Sequence, residues 1–306
     1  MQLTVASITT ALRNGVAAML LALTCAAPAA FAEHPVSMWQ VDGASNRIFL
    51  LGSVHLLRAE DHPLPSAIYT AYDQADALVM EMDMDDVDPF EAQALISELG
   101  LLADGDTLSE VMGPGAWKEA ELLASRVNIP LEMLASSKPW LAAIVIEQLM
   151  LTRIGFDAAL GIESHLAGKA GGDGKEIRGL ETIREQLEIL DNMSLDSQRA
   201  LLLQSLEESI DLAAIMDDLV AAWRHGDIDF METNMLGDIQ KYPELYKTIV
   251  VDRNLDWVEQ LTELLQDPHD YLVIVGALHL IGDQGVPALL TRRGFDVVQM
   301  RNGKPD

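Results

Sequence analysis

The chain has 306 residues, of which 48 are acidic and 20 basic, giving a formal charge of −28 at pH 7 with histidine neutral, and a single cysteine. That charge excludes a sequence-independent grip on nucleic acid, which needs clustered Lys and Arg against the phosphates. The length suffices to bury a sizeable core, and one cysteine excludes an internal disulfide framework.

At the N-terminus Arg13 precedes an apolar run from Val16 to Leu23 and then small residues ending in Ala30-Phe31-Ala32. This is the order of a secretory signal, so residues 1–32 are expected to be cleaved and the remainder exported to the periplasm. The apolar run falls short of the ~20 residues that span a bilayer, so no stable membrane insertion is expected after cleavage. Secretion beyond the periplasm, or lipid attachment at Cys25, would be variants of the same export. Cleavage removes Cys25, and with it thiolate ligands and a cysteine nucleophile.

Apolar runs from Ser37 to Val41, Arg47 to Leu51 and Ala77 to Met82 read as buried strands. From Pro89 to Gln266 the apolar residues fall mostly three and four apart. Helices are expected there, broken at Gly113-Pro114-Gly115, Pro130, Pro139 and Pro243, with one strand at Ile177 to Leu180. Strands at Tyr271 to Val275 and Phe295 to Met300 close the chain. Burying the terminal strands requires them to pair with one another. The predicted fold of 33–306 is therefore α/β (α+β in segregation): a mostly parallel or mixed central sheet from N- and C-terminal strands, with a helical lobe at about 89–266. Acidic clusters at Asp83 to Glu91 and Glu207 to Asp218 read as solvated helix faces.

One local pattern occurs twice. Leu50-Leu51-Gly52-Ser53-Val54-His55-Leu56 matches Ile274-Val275-Gly276-Ala277-Leu278-His279-Leu280, each an apolar strand running into Gly-x-x-His-Leu. Glycine at a strand end permits a sharp turn, and the imidazole then lies beyond the sheet edge. Glu81 ends an apolar run, and Glu181 follows Ile177 to Leu180. If these four strands are parallel, His55, Glu81, Glu181 and His279 share the sheet edge where α/β folds place their sites. They would either ligate a divalent metal that activates water or act as metal-free base and acid. Arg253 could anchor a carboxylate or stabilise developing negative charge. Each also has a structural reading: packing for the histidines, a solvated strand end for Glu81, a helix start for Glu181, a surface ion pair for Arg253.

The order of these segments, with Trp39-Gln40, Val79-Met80-Glu81-Met82-Asp83, Gly161-Ile162-Glu163-Ser164-His165-Leu166, Gly179-Leu180-Glu181-Thr182, Gln186, Trp223-Arg224-His225-Gly226-Asp227, Arg253-Asn254, Gly282 and Gly285, resembles the TraB/PrgY/GumN family, which includes the animal TIKI proteins. The resemblance implies a fold like that of erythromycin esterases and the haem-binding ChaN proteins. It also implies a metal-dependent peptidase site at His55, Glu81 and His279, with Mn, Co or Zn as the metal, Arg253 in the pocket, and Glu163 and Glu181 as further candidates. The esterase comparison would instead make His55 the base that activates water. The expectation is a periplasmic hydrolase of a peptide or small molecule; the alternative is a binding protein that captures a peptide, small ligand or haem.

Overall fold

A computed structural model describes residues 34–83 and 88–302. The expected signal over 1–32 lies outside the described residues.

Six strands form one sheet: β1 (His34–Asp42), β2 (Arg47–Ser53), β3 (Ala77–Met82), β4 (Glu176–Glu181), β5 (Tyr271–Gly276) and β6 (Val297–Asn302). Their spatial order is β4-β3-β5-β2-β1-β6. β2, β5, β3 and β4 are mutually parallel, whereas β1 runs antiparallel to both β2 and β6. The sheet is thus mixed, and N- and C-terminal strands do pair, β2 with β5 and β1 with β6. Strand β6 begins two residues later than its apolar run suggests. Phe295 is spent closing the preceding helix, its N–H donating to the Leu290 carbonyl at 3.2 Å after Gly294 turns through a positive φ of 93°.

The longer helices among the described residues are α1 (Ser66–Gln74), α2 (Pro89–Gly100), α3 (Leu108–Arg126), α4 (Pro139–Arg153), α5 (Ile162–Asp173), α6 (Ile183–Asp191), α7 (Leu195–Glu208), α8 (Leu212–His225) and α9 (Arg253–Leu264). The proline and glycine punctuation acts where it stands. Gly113 leaves helical geometry at φ 74° and kinks α3 just before Pro114, and Pro139 occupies the first turn of α4, where its missing N–H costs nothing. β4 divides the helical stretch expected over 89–266 into α2–α5 before it and α6–α9 after it. The lobe nevertheless has a core of its own, in which Leu108 and Met112 of α3, Ile146 of α4, and Leu202 and Leu206 of α7 are buried together.

The sheet core is continuous, with Phe49, Leu50, Leu51, Leu78, Met80 and residues 271–275 all buried. Trp223 of α8 ties this core to the helices: its indole N–H donates to the Gly52 carbonyl at 2.7 Å, and its own carbonyl accepts from the Ser37 hydroxyl at 2.9 Å. The following Arg224 donates to the carbonyls of Asp61 and Pro63. The Trp223-Arg224 segment therefore has a structural task, holding the loop after β2 against β1. No helix among the described residues is long and apolar enough to cross a membrane.

Candidate active site

Because β2, β5, β3 and β4 are parallel neighbours, their carboxyl ends lie side by side. Ser53 is in register with Gly276, and Met82 with Glu181, which brings Glu81 and Glu181 to one edge of the sheet beside the turn that carries His279. The six candidate residues, 224 residues apart at the extremes of the sequence, form two hydrogen-bonded groups on that edge.

The first group is organised by Arg253, at the first turn of α9 directly after a π-helical stretch, Lys247–Asp252. The guanidinium donates through Nε to Glu181 Oε1 at 2.9 Å, and through Nη2 to Glu181 Oε2 at 2.9 Å and to Glu81 Oε2 at 2.6 Å. Its side chain is 11% exposed, and those of Glu81 and Glu181 are 12% and 11% exposed. The planar fork suits paired carboxylates in a way that lysine could not reproduce. One turn further on, Trp257 donates its indole N–H to Glu181 Oε1 at 2.8 Å and lies under the guanidinium, 4.6 Å from ring centroid to carbon. Glu81 also accepts from the Gly276 N–H at 2.8 Å and from the Gln186 amide at 3.1 Å.

His279 belongs to this group and has no open face. Arg253 Nη1 stands 3.2 Å from its Nε2, and a guanidinium can only donate, so Nε2 is an acceptor. The proton therefore sits on Nδ1, which donates to Asn254 Oδ1 at 2.7 Å; the Asn254 amide is oriented in turn by donating to the carbonyls of His279 and Gln284. Burial drives the imidazole down to about 3, so it is neutral at working pH. For Glu81, burial opposes the charge. Attraction to His279 when protonated, to Arg253 and to His55, with the Gly276 N–H, outweighs that and brings it to about 2. With His279 neutral, Arg253 is the buried cation that keeps Glu81 ionised.

The second group is more open. His55 follows β2 by two residues, its side chain is 61% exposed, and its Nδ1 is 2.7 Å from Glu163 Oε1. The buried Ser53 hydroxyl donates to the same oxygen, and Glu163 Oε2 is buried without a hydrogen-bond partner among the described residues. The Glu163 charge raises His55 to about 9, with burial opposing and the Glu163 hydrogen bond, Glu81 and Glu147 adding to the rise. Water at the exposed ring face screens part of this attraction, and the direction that follows is a histidine holding its proton more tightly than usual. For Glu163, burial again opposes the charge, while His55 and Ser53 hold the carboxyl below its ordinary range.

Close backbone approach makes the second group possible. The Ile162 N–H at the start of α5 donates to the Val54 carbonyl at 3.2 Å, and a Cβ on Gly161 would stand 1.9 Å from the His55 carbonyl oxygen. Gly161→Ala must push α5, and Glu163 with it, away from His55. We expect a loss of roughly 1–3 kcal/mol in urea denaturation, as for overpacked sites.

Gly276 joins the two groups. A Cβ built there would lie 3.3 Å from Glu81 Oε1, 3.6 Å from His279 Cδ2 and 3.7 Å from His55 Nε2. Glycine thus leaves a space the size of a small group into which a carboxylate and the free nitrogen of an open imidazole both face.

The metal site implied by resemblance does not fit this arrangement. The His279 Nε2 lone pair accepts from Arg253, its Nδ1 carries a proton, and one Glu81 oxygen is held by the guanidinium. Among the described residues, no group of three or more His, Cys, Asp or Glu is arranged to hold a metal ion.

A family model described as TraB/PrgY/gumN matches residues 37–299, which include all six candidate residues. The chain belongs to the TraB/PrgY/gumN family. Among TraB/PrgY/gumN relatives, the uncharacterized protein YbaP of Escherichia coli (strain K12) is 26% identical over 247 residues, covering 80% of this chain and 88% of YbaP. YbaP of Shigella flexneri, also uncharacterized, is 25% identical over 242 residues, covering 79% and 86%. No solved structure matches the chain.

Four residues around these groups, Ser53, Gln186, Asn254 and Trp257, were not among the site candidates, although the first three lie in the segments that carry the family resemblance. Arg253, Asn254 and Trp257 do share one helical face by spacing, and the polar Asn254 on the apolar face of α9 was the available signal. A cavity of about 730 Å³ is lined by Asp229, Glu232, Thr233, Tyr246 and Asp283 among others and by none of the six candidates. It adjoins the site through Gln284, whose carbonyl accepts from Asn254. The open imidazole of His55 and the ionised carboxylate of Glu81 converge instead at Gly276.

Proposed function

We propose that this protein is a hydrolase in which His55 activates water for attack on a carbonyl carbon, and that it acts in the periplasm on a peptide or a small ester or amide. The observation that carries the reading is the Ser53–Glu163–His55 relay, which leaves Nε2 free beside Glu81 over Gly276. Glu163 fixes the ring and raises its basicity, as a carboxylate does for a catalytic imidazole. Neutral His55 takes a proton from water through Nε2 as the oxygen bonds to the carbonyl carbon. The imidazolium then returns that proton to the leaving nitrogen or oxygen as its bond to carbon breaks, so no net proton is consumed by the enzyme.

Glu81, held near 2, is too weak a base to share that task and serves instead to orient water. Arg253 and His279 position Glu81. The peptide preference rests on family membership and the resemblance to TIKI proteins. The test is incubation of the purified protein with a peptide library and with activated esters, followed by mass spectrometry. Product formation at many turnovers is expected; stoichiometric retention of unaltered ligand would replace this reading with a capture protein.

A further inference from the structure

Arg253 does more than pair with one acid. Three side chains of the kind that ligate divalent metals, Glu81, Glu181 and His279, all turn their acceptor atoms onto one guanidinium, at 2.6, 2.9 and 3.2 Å. Two anions and a neutral imidazole make a donor set of the hard and borderline type that suits Mn, Co or Zn. In this chain the set is saturated by a side chain of its own. Trp257 and Gln186 complete the shell by donating to the same two carboxylates, and Asn254 fixes the His279 tautomer that presents Nε2 to the arginine.

We infer that Arg253 is the resident cation of this pocket, standing where a divalent metal would otherwise be held, and that loss of its guanidinium uncovers a metal site made by Glu81, Glu181 and His279. The inference rests on the hydrogen-bond geometry alone and holds whether or not the pocket hydrolyses anything. Its physical basis is that two buried carboxylates need a compensating charge. When arginine is removed the pocket must take up protons or a cation, and the freed Nε2 lone pair gives a metal a third ligand.

Calorimetric titration of Mn, Co and Zn into wild-type protein, Arg253→Ala and Arg253→Ala/His279→Ala tests this, with the metal salts alone as probes. Wild type should show only the weak binding of a strongly acidic surface, unchanged by His279→Ala. Arg253→Ala should gain one equivalent bound at least about tenfold more tightly, and the double variant should lose it. One tight equivalent in wild type that is lost in His279→Ala overturns the inference. So does a folded Arg253→Ala that gains nothing, which would leave the guanidinium a plain structural clamp. If circular dichroism shows Arg253→Ala unfolded, Arg253→Gln replaces it under the same criteria.

Discussion

Replacing Arg253 by methionine should cost about 3–5 kcal/mol of folding stability at neutral pH, the range expected when one partner of a buried ionic cluster is removed. The side chain is 11% exposed and compensates both Glu81 and Glu181, so its loss leaves two buried carboxylates facing each other across an apolar group. It also strands the Trp257 ring and frees the His279 nitrogen. Urea denaturation read by far-ultraviolet circular dichroism measures the effect. A loss below about 1 kcal/mol would place Arg253 with ordinary surface ion pairs.

The pH dependence of wild-type stability follows from the same group. The folded value for His279 is depressed from 6.5 to about 3, so between those limits the unfolded chain binds more protons than the folded one. Glu81 adds to this between 4.5 and about 2. The contribution of this group is therefore fully present above about pH 6.5 and drains away as pH falls through the window, whereas His55, raised to about 9, contributes stability that is present below about 6.5 and lost as pH rises toward 9. Arg253→Met should lose less on acidification, because Glu81 without its cation accepts a proton more readily. The gap between the two proteins should narrow from pH 7 to pH 4 in parallel denaturation series.

His55→Ala should lower hydrolysis roughly 100- to 10,000-fold, the usual worth of a general base, while costing about 1 kcal/mol of stability, because Glu163 loses the imidazole but keeps the Ser53 hydroxyl. His279→Ala should cost more stability. It leaves an Arg253 N–H and the Asn254 carbonyl oxygen without their partner in a buried pocket, at about 1–3 kcal/mol each before any loss of rate. The contrast arises because His55 is 61% exposed and His279 is 4% exposed, although both come from Gly-x-x-His-Leu. Rate and denaturation measurements on the two variants together check it. Equal stability losses would mean that the two histidines are equivalent packing groups.

That contrast marks the limit of what the sequence makes legible. Strands announce themselves because each is an apolar run between turn residues, and the pairing of N- and C-terminal strands in one sheet follows once the middle of the chain is recognised as mostly helical, whereas the order β4-β3-β5-β2 is visible only in the fold. The convergence of Glu81, Glu181 and the two histidines on one sheet edge is readable for the same reason: each sits at a strand end. Their chemical states are not, because partners from distant segments set them. His279 is closed by Arg253 and Asn254 of α9, and His55 is tuned by Glu163 of α5, 108 residues away. Glu181 resembles a helix-start residue because it precedes Thr182, yet Thr182 is the N-cap of α6 in a capping box with Glu185, leaving Glu181 free to face Arg253. In the sequence Arg253 reads more readily as a surface ion pair than as a substrate anchor. Only the fold shows that the carboxylates it anchors belong to the protein.

The most direct test of the account is the pH–rate profile of wild type beside Glu163→Gln. If His55 is the base and Glu163 raises its basicity, kcat/KM should rise with pH through a midpoint above 6.5 and below about 9 in wild type, because neutral His55 is the active form. In Glu163→Gln the midpoint should move down toward 6.5, with a lower plateau as the weaker base does less. A midpoint that stays where it is when Glu163 is neutralised would contradict the account, since the residue titrating in the rate would then not be the imidazole that Glu163 holds.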